Sequence, residues 1–148
     1  MIRRKELYSE ASHLSVSKWG DVRFNEVDSL GIVWHGHYIT FFEDGREAFG
    51  REHGIDYLTV QAAGYTIPIV KSVCEHKLPL RYGEKFRVDT SFVDTPAAKV
   101  VFRYRIFNEQ DELVCIGETT QVFLDSEGLL TLNTPDFMLR WKKKVGLL

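Results

Sequence analysis

Features that would assign a chain to a specialised class are scarce in this sequence. Its 148 residues include two cysteines, Cys74 and Cys115, which lie far apart and form no CxxC pair. This usage favours buried, reduced thiols in a cytoplasmic protein, with a disulfide as the alternative. No apolar run approaches the ~20 residues that a membrane-spanning helix needs. The basic N-terminus is not followed by an apolar segment, so it is not a secretory signal.

The chain also lacks a strong charge and the usual phosphate-binding motifs. Its formal net charge is -2, which gives no general attraction to nucleic acid. The patterns GxGxxG, GxxxxGK[ST] and GxSxG do not occur, which excludes these glycine-rich phosphate loops and a serine nucleophile elbow. His13, His53 and His76 are dispersed and form no ligand set with neighbouring carboxylates. We therefore expect no metal site.

What is present is typical of a globular domain. Hydrophobic residues make up 44% of the chain and charged residues 27%. The length suits one domain spanning residues 1–148. Residues 1–12 are polar and are expected to form an N-terminal arm. The alternation that follows predicts a first strand over residues 13–24, with a bulge or bend at Gly20.

The longest periodic segment runs from about His37 to His53 and predicts a helix. Its apolar and small residues recur at steps of three, four and seven, so one face is apolar. They are Tyr38, Phe41, Phe42, Gly45, Ala48 and Phe49. A glycine at position 45 costs ~1 kcal/mol relative to alanine, which suggests close approach by a strand or a ligand. Gly54 is expected to end the helix.

Four strand-like runs follow, at residues 65–78, 85–93, 98–108 and 112–124. Pro68 lies inside the first of them, which places that strand at an edge or gives it a bulge. Turn-forming residues separate the runs.

The last element is a short helix over residues 134–145, because Thr134 and Pro135 are typical of a helix start. The order is therefore one strand, one long helix, four strands and a short helix. Strands and helices do not alternate, so a parallel doubly wound sheet is not expected. We predict an α+β fold in which a curved antiparallel sheet wraps around the long helix.

The segment leading into the long helix carries the candidate functional residues. Residues 22–54 read VRFNEVDSLGIVWHGHYITFFEDGREAFGREHG. This segment resembles the signature of the hotdog-fold acyl-CoA thioesterases, in the 4-hydroxybenzoyl-CoA thioesterase-like family. The matching positions are Arg23-Phe24, Asp28, Gly31, Val33, His35, Tyr38, Phe42-Glu43 and Arg46. The element order extends the resemblance over nearly the whole chain, although the later strands match only generically.

The resemblance implies a hotdog fold that hydrolyses acyl-CoA without a cofactor. It also implies a homodimer or homotetramer whose active sites lie at the subunit interface. Thioester hydrolysis requires attack on a carbonyl, stabilisation of an oxyanion and departure of a thiolate. Asp28 is the candidate for the attack, as general base toward water or as nucleophile. Backbone N–H groups of residues 35–37 at the helix start are the candidate oxyanion hole, and His35 is the favoured donor.

Other residues of this segment receive weaker roles. The His35 side chain either orients Asp28 or the water, contacts the thioester, or only caps the helix. Trp34, Gly36 and Tyr38 are candidates for substrate contact. Glu43 corresponds to a helix carboxylate that is catalytic in another hotdog branch, but Asp28 already fills the loop position, so we expect Glu43 to be structural or to line the pocket.

His37 and the basic residues of the chain receive separate assignments. His37 is assigned to the surface or to an interface. The CoA phosphates need cations, and the candidates are Lys77, Arg81, Lys99, Arg103 and Lys142–Lys144.

Two other functions remain as alternatives. A hotdog hydratase or dehydratase would carry a different motif, such as an HFPG-type loop, which is absent. A non-catalytic module that binds acyl-CoA or acyl carrier protein would not need both Asp28 and His35. The identity of the acyl group, the choice between CoA and acyl carrier protein, and the choice between dimer and tetramer stay open.

Overall fold

The computed structural model describes residues 8–148. Residues 1–7 of the predicted arm lie outside the described residues, whereas residues 9–12 belong to the first strand, β1 (Ser9–Asp21). Residues 9–12, which were predicted to belong to the arm, are therefore part of the sheet.

The expected bulge at Gly20 is wrong. Gly20 pairs regularly with Phe86 of a neighbouring strand, and the register instead shifts between Glu10 and Ser15. Gly20 has a different role, because a Cβ there would come within 2.8 Å of Phe86 Cζ. The missing side chain lets the phenylalanine ring lie against the β1 backbone.

The elements after β1 follow the predicted order. A short 3-10 helix at Phe24–Glu26 is followed by α1 (His37–His53), α2 (Tyr57–Ala62), β2 (Ile69–His76), β3 (Lys85–Asp94), β4 (Lys99–Asn108), β5 (Leu113–Val122) and α3 (Asp136–Lys144). Gly54 ends α1 with φ 73°, as predicted. The C-terminal helix begins at Asp136 and not at Thr134, because Pro135 has ψ 151° and is still extended.

The five strands form one antiparallel sheet in the order β1-β3-β4-β5-β2. The strand that follows Pro68, β2, lies at one edge, as the proline indicated. The sheet curves around α1, and this confirms the predicted α+β hotdog arrangement. No helix among residues 8–148 is long and apolar enough to cross a membrane.

The long helix rests on the inner face of the sheet at two glycines. A Cβ at Gly45 would collide with Thr90 Oγ1 of β3, which confirms the close approach expected there. A Cβ at Gly117 of β5 would collide with the Phe42 ring. That ring stacks on Tyr104 of β4, with centroids 4.4 Å apart and planes 13° apart. These contacts fix the distance between α1 and the sheet, and with it the position of the helix start.

The C-terminal helix fixes the other end of α1. Trp141 Nε1 donates to the backbone oxygen of His53 (2.7 Å). The buried Lys142 Nζ donates to the backbone oxygen of Thr95 (2.9 Å) and pairs with Asp94 (2.9 Å). The ammonium group of Lys142 therefore bonds within the fold, and the prediction that Lys142 binds a CoA phosphate is wrong.

We expect Gly117→Ala to destabilise the protein by about 1–3 kcal/mol, because the added methyl group overpacks the contact with Phe42. Denaturant unfolding followed by circular dichroism measures the loss. Phe42→Leu, which shortens the opposing side chain, should recover part of that loss in the double variant although it is destabilising alone. Strictly additive losses would show that the two residues do not compete for the same space.

Candidate active site

The loop that holds Asp28 is a tight turn closed by backbone hydrogen bonds. The Asp28 N–H donates to the Ile32 oxygen (2.9 Å), and the Gly31 N–H donates to the Asp28 oxygen (3.0 Å). Gly31 has φ 75°, a conformation that favours glycine. Asp28 Oδ1 accepts the Leu30 N–H (2.8 Å), which is an Asx turn. Within residues 8–148 the other carboxylate oxygen accepts no hydrogen bond, so it is available to a substrate or to water.

A buried glutamate anchors this loop. Glu26 is 4% exposed. Its Oε1 accepts the Arg23 N–H (2.7 Å), and its backbone oxygen accepts the Trp34 N–H (2.9 Å). The Val33 N–H donates to the Leu80 oxygen (2.8 Å), which ties the loop to the segment between β2 and β3. Sequence reasoning missed Glu26, although its spacing from Arg23 is that of a capping box.

The start of α1 leaves two backbone donors free. The His37 N–H donates to the Trp34 oxygen (2.9 Å), and the Tyr38 N–H reaches the His35 oxygen (3.4 Å). In the described part of the chain, the N–H groups of His35 and Gly36 have no protein acceptor. Both lie at the positive end of the helix dipole, where an anionic oxygen is stabilised.

The Trp34 indole covers Gly36. A Cβ on Gly36 would collide with the indole ring, so only glycine fits beneath it. The Trp34 centroid lies 5.0 Å from that of His35 and 5.5 Å from that of His37. The structure therefore brings Trp34, His35 and Gly36 together at the helix start, and it places His37 against the tryptophan.

A further histidine joins this group from the sheet. The ring of His76, the last residue of β2, lies 4.9 Å from Tyr38 and 6.5 Å from His35, measured between centroids. No sequence pattern indicates this contact, because it arises only when β2 folds back beside α1. Tyr38 itself is 3% exposed, and burial raises its pKa to about 12. Its phenol therefore stays neutral at physiological pH.

Glu43 lies apart from this cluster. It lies six positions after His37, a rise of roughly 9 Å along the helix axis. Its side chain is exposed and lines a mainly apolar cavity of about 270 Å³ under the C-terminal half of α1. Arg46 lines the same cavity and donates to the Tyr104 hydroxyl (3.1 Å). Glu43 thus lines a cavity apart from the helix start, and its contact with a substrate stays a prediction.

Some of the candidate phosphate ligands form ion pairs within the protein. Arg103 pairs with Glu10 and Glu118, and Lys77 pairs with Glu75. Among the described residues, Arg81 and Lys99 form no ion pair. The Arg81 backbone bridges that of Ile32 in the Asp28 loop, which places Arg81 beside the loop.

No group of three or more His, Cys, Asp or Glu side chains within residues 8–148 is arranged to hold a metal ion.

An antiparallel sheet around one long helix, with a carboxylate loop before the helix start, defines the class of hotdog-fold thioester hydrolases. The model of the thioesterase-like superfamily matches residues 22–142. The chain therefore belongs to this superfamily, and it is an enzyme of the thioesterase class. The matched span includes the Asp28 loop, α1 and all the strands after it.

Individual relatives agree with this assignment. "Putative acyl-CoA thioesterase YneP" of Bacillus subtilis strain 168 is 34% identical over 127 residues, which cover 83% of this chain and 92% of that protein. The solved structure of a DHNA-CoA thioesterase from Staphylococcus aureus superimposes with a TM-score of 0.79 at 26% identity, covering 90% of this chain and 92% of that one. A 4-hydroxybenzoyl CoA thioesterase variant in complex with 4-hydroxybenzoyl CoA has a TM-score of 0.75 at 18% identity, covering 86% of this chain and 98% of that one, and so shares the fold.

Removing the carboxylate that anchors the loop should destabilise the protein. We expect Glu26→Ala to cost about 1–3 kcal/mol, because the Arg23 N–H loses its acceptor in a part-buried hydrogen bond and the buried Glu26 side chain is removed. Denaturant unfolding gives the value.

Two control variants test the cause of that loss. Glu26→Gln keeps an oxygen acceptor and should cost less. Glu75→Ala removes an exposed partner of Lys77 and should change stability by under about 1 kcal/mol. Equal losses for Glu26→Ala and Glu75→Ala would refute the anchoring role.

Proposed function

We propose that this protein hydrolyses acyl-CoA thioesters to the free acid and CoA. The observation that carries the proposal is the pair of N–H groups of His35 and Gly36, which have no acceptor among the described residues. They follow closely in the sequence on Asp28, which is half-buried. One of its carboxylate oxygens accepts no hydrogen bond within residues 8–148. The names of YneP and of other relatives, such as the acyl-CoA thioester hydrolase YbgC of Escherichia coli, support the same substrate class.

The reaction uses these groups in sequence. The thioester carbonyl oxygen accepts the N–H groups of His35 and Gly36. Because these donors are already oriented at the positive end of α1, they stabilise the oxyanion without reorganising. Asp28 takes the proton of the attacking water, or attacks the carbonyl itself to form a mixed anhydride that water then opens. The C–S bond breaks, and its electron pair leaves with the sulfur.

The substrate contacts follow from the same geometry. In the proposed complex, Trp34 and Gly36 contact the thioester, and the neutral Tyr38 lies beneath it. Glu43 lines the cavity farther along the helix. Arg81, beside the loop, is the proposed ligand of a CoA phosphate, because a guanidinium binds phosphate oxygens in a bidentate manner.

We propose a homodimer formed through β2. This strand lies at the sheet edge and exposes Val70 and Val73. An exposed apolar edge strand invites pairing with another strand. A second copy of the same edge would extend the sheet across a twofold axis and bring a partner close to the helix start.

We also propose a cytoplasmic location. Cys74 and Cys115 are free thiols although their Sγ atoms lie 3.2 Å apart. Neighbouring thiols of this kind stay reduced in a reducing compartment.

Asp28→Asn is the decisive variant. Its amide oxygen can still accept the Leu30 N–H, so we expect an unchanged fold. We expect kcat to fall by about 10²–10⁴-fold, because the general base is lost. Thiol release from a panel of aliphatic and aromatic acyl-CoAs measures the effect.

Asp125→Asn is the matched control, since Asp125 forms a similar turn with the Glu127 N–H (2.9 Å) far along the chain. Near-native turnover by Asp28→Asn would overturn the assignment. Tight acyl-CoA binding without thiol release by the wild-type protein would identify a binding module, and water addition to enoyl-CoA would identify a hydratase. Single turnover in H₂¹⁸O, followed by mass spectrometry of the protein, identifies a nucleophilic Asp28 if the protein acquires the label, because water that opens the mixed anhydride at the Asp28 carboxyl carbon leaves its oxygen there.

A further inference from the structure

His76 stands at the candidate active site but has no role in the chemistry described so far. It ends β2, opposite Cys115 of β5. Cys115 is fully buried on the inner face of the sheet, and paired residues of an antiparallel sheet place their side chains on the same face. His76 therefore faces the side of the sheet on which α1 lies, and its contact with Tyr38 agrees with this.

The environment of the imidazole orients it. One ring nitrogen, Nδ1, lies 4.0 Å from Cys74 Sγ, a weak hydrogen-bonding contact. The ring packs edge to face on Tyr38, with an interplanar angle of 80°. Within residues 8–148, the other nitrogen, Nε2, has no hydrogen-bonding partner, and the residue is exposed. The neighbours Glu75 and Lys77 pair with each other and leave the imidazole free.

His76 and Asp28 reach the helix start from different elements. Asp28 belongs to the loop after β1, whereas His76 belongs to the opposite edge of the sheet. The ring of His35, whose N–H is a proposed oxyanion donor, lies 6.5 Å from that of His76. A thioester held by that N–H would therefore lie at the same end of α1 as the His76 imidazole, which is a second group able to carry a proton, apart from the carboxylate.

The departing sulfur is the part of the reaction that still needs such a group. A thiol with a pKa near ~8.5 leaves as a thiolate without strong acid catalysis. The Trp34 ring lies beside the helix start, however, and a bound acyl-CoA displaces water from it, so a thiolate released there is less well solvated than in bulk water. A proton delivered to sulfur as the bond breaks removes this penalty.

We propose that His76 is a catalytic residue that protonates the leaving sulfur; this role rests on the proposed thioesterase function. As the C–S bond breaks, its electron pair goes to sulfur, and sulfur takes the proton of the His76 imidazolium. In the general-base route, the proton lost by the attacking water goes to Asp28 while its oxygen forms the new C–O bond. Solvent exchange then returns a proton to His76 and removes one from Asp28, so thioester and water yield acid and thiol.

Two thioesters of one acyl group test the role. One is the acyl-CoA, and the other is the S-4-nitrophenyl thioester, whose thiol is more acidic and needs no proton to leave. For His76→Gln we expect kcat on acyl-CoA to fall by about 10- to 10²-fold with little change in KM, and kcat on the nitrophenyl thioester to change by less than about threefold. A purely structural role of His76 would lower both rates equally.

His37→Gln is the matched control, because His37 lies at the same helix start but packs on Trp34 and not on Tyr38. It should leave the ratio of the two rates unchanged. His76→Asn provides a second variant of smaller size, and circular dichroism checks the fold of each.

The outcomes separate this role from the proposed function. Equal losses on both substrates, or no loss on acyl-CoA, would overturn the role of His76 alone. A wild-type protein that releases no thiol from either thioester would overturn the proposed function, and the role of His76 would fall with it.

Discussion

The close contact between α1 and the sheet determines where every other part of the site can lie. Gly45 meets Thr90, and Phe42 lies over Gly117, so that the helix is held at one height above the strands. Because interiors are packed at crystal-like density, such a contact cannot be adjusted continuously. The helix start is therefore a fixed point, and the loop before it and the edge strand beside it are built around that point.

The loop before this fixed helix start determines which backbone N–H groups are hydrogen-bonded and which are not. Glu26 and the Leu80 carbonyl bond the neighbouring backbone, yet among residues 8–148 the N–H groups of His35 and Gly36 remain without an acceptor. Unpaired donors are tolerated here because the helix start is open to solvent. The fold thus supplies oriented donors that a carbonyl oxygen can bind. In the proposed mechanism these donors act through the backbone, so the proposal gives the His35 side chain a smaller part than the His35 N–H.

Local patterns in the sequence predicted the parts of the structure that depend on local physics. Apolar spacing gave the bounds of α1, and a glycine inside the helix indicated the contact near Thr90. Long-range pairing decided the rest. Gly20 gives room to Phe86 and does not form a bulge, Lys142 is bonded to Asp94 and not exposed, and His76 reaches Tyr38 across the fold. Aspartate commonly forms a turn of the kind seen at Asp28, but the role of the Glu26 carboxylate in anchoring the loop depends on burial that spacing alone does not reveal.

The position of His76 at the end of an edge strand has a consequence for how the protein responds to dilution. In the described sheet β2 pairs with β5 on one side only, whereas β4 pairs with a strand on each side. The last residues of β2 are therefore held by fewer backbone hydrogen bonds than those of β4. Any copy of the chain that covers the free edge stabilises that conformation by mass action. Specific activity would then rise with protein concentration until assembly is saturated, and the rate per site would report on self-association as well as on chemistry.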